Sequence, residues 1–263
     1  MKRIQKKFKE LALKKQKALV AFVTAGDPNL TLSEKLVYEM EKAGADLIEL
    51  GVPFSDPMAD GPVIQRSSER ALKVRTTLHS ILKLVSKIRK KSQIPLILMG
   101  YYNPILSYGV EKFCKNASAA GVDGLIVVDL PPEESQELHR PTRAHHLDFI
   151  YLLTPTADES RIQKVKKLAS GFIYYVSVTG ITGAKLRSLA DIQSHVREIK
   201  KHIPLPVCIG FGIRSPEDAK HLSKVAEGVV VGSALVSELE KGGQKKGPAL
   251  LVRKVVDLKK AML

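Results

Sequence analysis

Three acidic residues in the segment LIELGVPFSDPMADGPVIQ (47–65) have the types and spacing expected of acid/base chemistry. Glu49 lies within an apolar run, whereas Asp56 and Asp60 follow in a proline-rich loop. Burial raises the pKa of a carboxyl, so such a group can both donate and accept a proton near neutral pH. Glu49 alone also fits an ordinary strand-end acid, and Asp56 and Asp60 also fit turn or helix-capping residues. The acids by themselves leave both interpretations open.

Glycine-rich segments form a second candidate site. They follow three apolar runs near the end of the chain, as SVTGITGAK (177–185), IGFGIRSPED (209–218) and VVGSALV (230–236). Their glycines are Gly180, Gly183, Gly210, Gly212 and Gly232, and Ser233 stands where a helix is expected to begin. Glycine lets backbone N–H groups approach an anion closely, and a helix N-terminus adds its dipole. Three such segments predict a phosphate site, although each glycine alone fits a tight turn.

The sequence lacks residues suited to a metal site or to covalent catalysis. The seven histidines fall mainly in expected helices and form no HExxH pattern, so we predict no metal site. No lysine lies in an apolar strand run, which argues against a Schiff base. The two cysteines, Cys114 and Cys208, have no histidine partner in their sequence context.

The composition is that of a soluble protein with a strongly basic surface. The chain of 263 residues is 44% hydrophobic and 26% charged, with a net charge of +15. The lysines and arginines are spread over expected outer helix faces, so we predict a phosphorylated metabolite rather than nucleic acid as ligand. No apolar run approaches the roughly 20 residues of a membrane span, and the N-terminus does not have the pattern of a signal peptide. We therefore predict a cytoplasmic protein without membrane association.

Eight short apolar runs alternate with expected helices and position these residues. The runs are 18–26, 45–52, 94–102, 122–130, 147–154, 171–178, 204–212 and 227–235. Near-continuous apolar runs of this length are typical of parallel strands covered by helices. The pattern predicts an α/β fold, a (β/α)8 TIM barrel with an extra N-terminal helix over 3–14, as one domain spanning 1–263. A doubly wound open sheet is the alternative, but no Gly-x-Gly-x-x-Gly follows the first run.

Local signals place several helix ends. A helix over 31–44 is expected to open with a capping box formed by Thr31 and Glu34. Ser215 is the expected N-cap of a helix that has Pro216 at its first position. Pro141 is expected to interrupt a helix over 132–146.

Seven motifs resemble one family, the alpha subunit of tryptophan synthase, over nearly the full chain. They are AFVTAGDP (21–28), ELGVPFSDPMADGPVIQ (49–65), GYYNPI (100–105), VVDLPPEE (127–134), YYVSVTGITGA (174–184), IGFGI (209–213) and VVGSA (230–234). The chain departs from the family pattern at Met58 and Val63, where Leu and Thr are expected, and in the segment HRPTRAHH (139–146).

The resemblance implies a lyase. The family has a (β/α)8 barrel and cleaves indole-3-glycerol phosphate to indole and glyceraldehyde 3-phosphate, a retro-aldol reaction that needs no metal or organic cofactor. Glu49 is the implied acid/base, and Asp60 the implied partner of the indole N–H. The implied indole pocket consists of Phe22, Met99, Ile126 and Tyr174. The implied phosphate ligands are Gly183, Gly212, Gly232 and Ser233, and Thr182 and Phe211 are further implied substrate contacts.

The resemblance also implies a partner, the pyridoxal-phosphate-dependent tryptophan synthase beta subunit, in an alpha2-beta2 heterotetramer. Loops 53–62 and 178–190 are expected to close over the substrate and to signal to that partner. Two other functions fit the pattern less well. Another phosphate-binding barrel, such as indole-glycerol-phosphate synthase, is expected to carry a catalytic lysine at a strand end, and none is evident. A catalytically silent barrel that only regulates a beta subunit has no need of both Glu49 and Asp60.

Overall fold

The computed structural model describes residues 1–177, 188–210 and 212–263, and one parallel sheet forms its centre. The strands are β1 (Ala18–Thr24), β2 (Leu47–Gly51), β3 (Leu96–Gly100), β4 (Gly124–Val127), β5 (Asp148–Phe149), β6 (Leu152–Leu153), β7 (Ile173–Val176), β8 (Val207–Gly210) and β9 (Gly228–Val231). Their spatial order is β5-β4-β3-β2-β1-β9-β8-β7-β6. All of the predicted apolar runs therefore contribute to the same sheet.

The sheet closes into a barrel at the fifth predicted run, 147–154, which is divided into β5 and β6. Between these two strands, the Ile150 N–H donates to the carbonyl of Leu125 on β4 at 2.9 Å. The Tyr151 carbonyl accepts from the Tyr174 N–H on β7 at 3.1 Å. Since the two outermost strands are consecutive pieces of one segment, hydrogen bonds continue around the ring. The predicted (β/α)8 fold is confirmed, with its fifth strand in two pieces.

Helices surround this barrel. They are α1 (Arg3–Leu13), α2 (Leu30–Lys42), α3 (Pro62–Lys73), α4 (Leu78–Ile88), α5 (Tyr102–Tyr108), α6 (Val110–Ala120), α7 (Gln136–Ala144), α8 (Glu159–Leu168), α9 (Leu189–His202), α10 (Pro216–Ser223) and α11 (Ser233–Ala261). Helix α11 is kinked at Gly243, where the backbone has a φ of +57°. No helix among the described residues is both long and apolar enough to cross a membrane.

The predicted N-terminal helix is confirmed as α1, which covers the amino-terminal end of the barrel. Ile4, Phe8 and Leu11 are buried against the interior side chains of the strands, and the Phe8 ring lies 5.8 Å from that of Phe172. These apolar contacts fix one face of the helix, because residues three and four apart lie on the same side. The end of the barrel opposite α1 is therefore the end at which the βα loops gather.

One predicted helix cap is wrong and another is confirmed. Helix α2 begins at Leu30 and is capped by Asn29, whose side chain accepts from the Leu32 N–H at 2.9 Å. The amide oxygen of Asn29 accepts a hydrogen bond from an otherwise free backbone N–H of the first turn, so the helix begins before Thr31 and no capping box forms at that residue. Ser215 is the N-cap of α10, as predicted, and it also forms a capping box with Asp218.

Pro141 does not interrupt α7, contrary to the expectation. The helix continues from Gln136 to Ala144 with the proline inside it. Proline removes one helical hydrogen bond, and this cost is offset where the neighbouring residues pack well. Leu138 and Thr142 are both buried, and the Thr142 hydroxyl donates to the His139 carbonyl at 2.7 Å.

Side chains alternate between two apolar layers along each strand. Leu47 on β2 packs inside the barrel, while Ile48 and Leu50 pack outside it, under the helices. Because successive strand residues point to opposite faces, Glu49 shares the interior face with Leu47. Its registered neighbours are Phe22 on β1 and Ile97 on β3. The strand period thus places an acid inside the barrel.

Candidate active site

Glu49 is fully buried at the middle of β2. Within the part of the chain that the structure describes, neither of its carboxyl oxygens has a hydrogen-bond partner. Buried polar groups in folded proteins are nearly always paired, so an unpaired acid at this depth marks a functional candidate. The interpretation of Glu49 as an ordinary solvated acid at a strand end is wrong.

Burial governs the acidity of this group. It raises the pKa of the Glu49 carboxyl from 4.5 to about 8, because the charged form loses its hydration. Two other interior groups, Tyr174 and Cys208, have pKa values raised well above their usual ranges, first by burial and then by the Glu49 charge. All three side chains are buried, and Tyr174 and Cys208 belong to the apolar layer inside the barrel. Near neutral pH, Glu49 is poised to release and to take up a proton.

The four predicted indole contacts lie on the interior face. Phe22, Ile126 and Tyr174 are buried, and Met99 is half-buried at the end of β3. Met99 is registered with Ile126 on the neighbouring strand β4. This arrangement provides apolar surface beside Glu49, as a flat aromatic substrate requires.

Two glycines make room for the rings, a role that the sequence alone did not suggest. A Cβ on Gly51 would stand 2.5 Å from the tip of the Phe22 ring. A Cβ on Gly210 would stand 2.1 Å from the Tyr174 hydroxyl oxygen. Gly210 is the last residue of β8, so its described role is to accommodate Tyr174 inside the barrel. Substituting either residue would displace an aromatic side chain of the pocket.

Asp60 is held in the loop after β2 by Tyr101, a residue that the sequence reasoning missed. The Tyr101 hydroxyl donates to Asp60 Oδ2 at 3.1 Å and accepts from the Ala59 N–H at 2.9 Å. Burial raises the pKa of Asp60, and the hydrogen bond from Tyr101 partly opposes that rise. Phe54 packs on the Tyr101 ring at 5.1 Å between centroids. The motif GYYNPI contained the signal, a tyrosine directly after a strand end.

Asp56 has a different environment from Asp60. Its side chain is exposed and accepts a hydrogen bond from the adjacent Ser55 hydroxyl. Asp60 is half-buried, and its carbonyl accepts from the Gln65 side chain at 2.9 Å. Of the two loop acids, Asp60 is the one that is partly buried and held by hydrogen bonds from Tyr101 and Gln65.

Part of the predicted phosphate site is described. Gly212 has a φ of +80°, a conformation that favours glycine, and Gly232 directly precedes α11. Ser233 is exposed as the first residue of that helix, where backbone N–H groups lack helical partners. Such a helix start can bind an anion. The predicted contacts Thr182, Gly183 and Phe211 lie outside the described residues.

The other end of the barrel has a cavity of about 910 Å³, beside α1. Phe8, Leu11 and Pro206 are among its lining residues, and none of the predicted site residues lines it. Among the described residues, no group of three or more histidine, cysteine, aspartate or glutamate side chains is placed to bind a metal ion. The acids, apolar pocket and helix start instead gather at the opposite, loop-bearing end.

A family model described as tryptophan synthase alpha chain matches residues 8–262. The chain belongs to the tryptophan synthase alpha chain family. It is 58% identical to the alpha chain of Geotalea uraniireducens (strain Rf4) over 240 residues, which cover 91% of this chain and 90% of that one. It is also 58% identical to the alpha chain of Geotalea daltonii over 246 residues, which cover 94% and 93% of the two chains.

Solved structures of the same family have the same fold. The tryptophan synthase subunit alpha from Legionella pneumophila str. Paris superposes with a TM-score of 0.93 at 38% identity, covering 100% of this chain and 98% of that one. A chain of tryptophan synthase from M. tuberculosis in an aminoacrylate-bound form gives a TM-score of 0.89 at 30% identity, with 100% coverage of both. As a member of this family, the chain is a carbon–carbon lyase of tryptophan biosynthesis, which cleaves indole-3-glycerol phosphate to indole and glyceraldehyde 3-phosphate.

Proposed function

We propose that Glu49 is the acid and the base of this cleavage. In its neutral form it donates a proton to the indole ring carbon that carries the side chain. The resulting carboxylate then takes the proton from the adjacent side-chain hydroxyl. The C–C bond breaks as the aldehyde C=O forms, and the bonding electrons return to the ring to give indole. Glu49 ends the cycle in its starting form, which is why a carboxyl with a pKa near the working pH is suitable.

Asp60 has the complementary role in this proposal. Protonation of the ring carbon makes the indole ring cationic, and the charge is shared with its N–H. An ionised carboxylate beside that nitrogen stabilises the charge where it develops. Tyr101 supports the role, because its hydroxyl donates to Asp60 Oδ2 and fixes the direction of the other oxygen. Two carboxyls in different environments thus divide the work.

In this proposal, the indole end and the phosphate end of the substrate bind to different surfaces of the barrel. Phe22, Met99, Ile126 and Tyr174 would hold the indole ring, because they form apolar surface beside Glu49. The phosphate would bind at the α11 start with Gly212, Gly232 and Ser233, with Thr182, Gly183 and Phe211 as further contacts. The whole chain, 1–263, would act as one barrel domain. The observation that carries the proposal is Glu49 itself, an unpaired carboxyl buried on the interior face of β2.

The pH dependence of kcat/KM is expected to be bell-shaped. The alkaline limb should lie near pH 8, because burial raises the pKa of Glu49 to about 8 and the reaction begins from its neutral form. The acidic limb should reflect Asp60, which must be ionised and whose pKa is raised above the usual value by burial. Initial rates of indole release measured from about pH 5 to 10 test this, since kcat/KM reports the free enzyme. A rate that stays level through pH 8 would contradict the role of Glu49 as initial acid.

Replacing Tyr101 with Phe is expected to lower kcat about tenfold, the loss typical of one hydrogen bond to a charged group. The acidic limb of the pH profile should also move to higher pH, because the hydrogen bond that lowers the pKa of Asp60 is lost. The matched control is Tyr102→Phe, whose hydroxyl donates instead to Glu137 at 2.8 Å. Equal effects of the two changes would show that Tyr101 has no special part in holding Asp60.

The assembly is also part of the proposal. We expect an alpha2-beta2 heterotetramer with a tryptophan synthase beta chain, acting in the cytoplasm. Family membership supports this partner, as does the similarity to a chain of M. tuberculosis tryptophan synthase. Exposed apolar side chains at the loop-bearing end fit such a contact, since Met58 is 75% exposed and Leu106 50% exposed. Loops 53–62 and 178–190 are the segments expected to close over substrate.

One assay tests the proposed roles and the catalytic competence of the barrel. Purified chain is incubated with indole-3-glycerol phosphate, with and without a beta chain, and released indole is measured. We expect indole and glyceraldehyde 3-phosphate in equal amounts, with release abolished by Glu49→Gln. Absence of turnover under both conditions would favour a silent barrel that only regulates its partner.

A further inference from the structure

An ion-pair cluster joins helix α3 to the loop after β1 and to helix α11. Arg70 Nε and Nη2 donate to the two carboxylate oxygens of Asp27, both at 2.8 Å, and its Nη1 donates to Glu240 Oε1 at 2.8 Å. Arg66 donates to both oxygens of the same Glu240, at 2.7 and 2.8 Å. One guanidinium therefore uses all three of its nitrogens to join the loop after β1, helix α3 and helix α11.

This cluster is better fixed than an ordinary surface ion pair. Asp27 is only 2% exposed, and the Arg70 side chain is 30% exposed. Hydrogen bonds from Arg66 and Arg70 lower the pKa of Glu240 to about 2, so its charge persists at working pH. A planar guanidinium that forms two parallel hydrogen bonds with a carboxylate also fixes the orientation of the two groups relative to each other. A lysine at the same position could supply the charge but not this geometry.

Helix α3 connects the cluster to the candidate acid Asp60. The helix begins at Pro62, two residues after Asp60, and the Gln65 side chain donates back to the Asp60 carbonyl at 2.9 Å. In the middle of α3, Ser67 pairs with Thr24 at the end of β1, with 2.6 Å between the hydroxyl oxygens. The position of the acid loop therefore depends on where α3 is anchored.

Helix α11 connects the cluster to the candidate phosphate end. Ser233 and Glu240 are seven residues apart and so lie on one face of the helix, two turns from each other. Asp27 follows β1, the strand that carries Phe22. The Arg70 guanidinium thus lies where three segments meet, and each segment holds one part of the proposed site.

We propose that Arg70 is a positioning residue for the lyase reaction. Its guanidinium holds the Asp60 loop and the Ser233 end of α11 at the separation that the substrate spans. The inference rests on the proposed roles of Asp60 and Ser233, and it adds a residue that contacts neither the substrate nor the reacting atoms.

Chemical rescue of Arg70→Ala is the test. Small displacements of catalytic groups are costly, so we expect kcat for indole release to fall about 10- to 100-fold. Because the native side chain is partly exposed, guanidinium ion at low millimolar concentration can enter the vacated site. It should restore at least about a fifth of the lost kcat, whereas urea, which is neutral and similar in shape, should restore none. A purely structural role would give a loss that guanidinium does not reverse.

Two further substitutions test whether charge alone is enough at position 70 and whether the loss of any arginine from the surface lowers kcat. Arg70→Lys should remain about as impaired as Arg70→Ala, because one ammonium cannot pair with Asp27 and Glu240 in the same geometry. Arg253→Ala removes an exposed arginine elsewhere on α11 and should leave kcat unchanged. Full activity of Arg70→Lys, or wild-type kcat in Arg70→Ala, would overturn the proposal.

A milder variant keeps the test decisive if Arg70→Ala does not fold. Glu240→Gln preserves shape and the Arg70–Asp27 pair but removes the charge on α11, and it should lower kcat several-fold; wild-type kcat there would overturn the inference. Glu49→Gln and Asp60→Asn are assayed in parallel. If Glu49→Gln and Asp60→Asn retain activity, the proposed catalytic roles are wrong. If these two variants lose activity but guanidinium does not rescue Arg70→Ala, only the positioning role of Arg70 is rejected.

Discussion

Glu49→Gln is expected to lower kcat for indole release by at least about 10³-fold while leaving substrate binding nearly intact. The amide keeps the size and shape of the side chain but can neither deliver nor accept the proton. General acid–base catalysis typically contributes 10²- to 10⁴-fold for a proton transfer, and this side chain is proposed to carry two. Single-turnover rates of indole release, together with the affinity for a non-cleavable substrate analogue, separate the chemical step from binding.

The thermal stability of Glu49→Gln shows independently whether the variant is folded and whether Glu49 titrates as expected. Because burial raises the folded-state pKa of Glu49 from 4.5 to about 8, its contribution to stability is present below pH 4.5 and is lost as pH rises through 8. Glutamine does not ionise, so the Tm of Glu49→Gln should exceed that of the wild type by a margin that grows toward pH 8. A variant that turns over substrate at near wild-type rate would remove Glu49 from the mechanism.

Asp60→Asn is expected to lower kcat by about 10²- to 10³-fold, the range found when one preorganised electrostatic contact to a transition state is lost. The neutral amide can still accept a hydrogen bond from the indole N–H but cannot stabilise a full positive charge on the ring. KM should change much less than kcat, because the charge develops only during the reaction. Steady-state kinetics with indole-3-glycerol phosphate measures both.

Asp56→Asn is the matched control, since Asp56 is an exposed acid four residues earlier in the same loop. It should retain near wild-type kcat. If instead Asp60→Asn is active and Asp56→Asn is impaired, the electrostatic role belongs to Asp56 and the described geometry of the loop is not that of the reacting enzyme.

The barrel could be predicted because the sequence pattern of its strands has a simple physical explanation. Runs such as ALVAFVT are apolar on both faces, and only a parallel sheet covered by helices buries both faces of a strand. Glu49 could be singled out for the same reason, as an acid inside such a run. In the structure, the strand period places it on the interior face together with Leu47.

Other features depend on contacts between distant segments and could not be predicted. Tyr101 stands directly after a strand end, but the local sequence does not indicate that its partner is the loop of Asp60. Nor does it indicate that Gly51 makes room for Phe22 on the neighbouring strand. Arg70 has the same character, because its partners lie 43 and 170 residues away in the chain. Helix ends are also hard to place, since a nearby Asn29 displaced the expected cap at Thr31.

The divided fifth strand has a consequence for how the barrel fluctuates. β5 and β6 each form only two registered residue pairs with their neighbours, whereas β1 and β2 share five. β8 and β9 also share only two pairs, but β5 and β6 are in addition only two residues long, so local opening and amide hydrogen exchange should be easiest at this seam. The Glu49 strand is separated from the seam by at least two strands in either direction around the ring. Opening that begins at the seam should therefore leave the strand that carries Glu49, the proposed proton-transferring residue, in place.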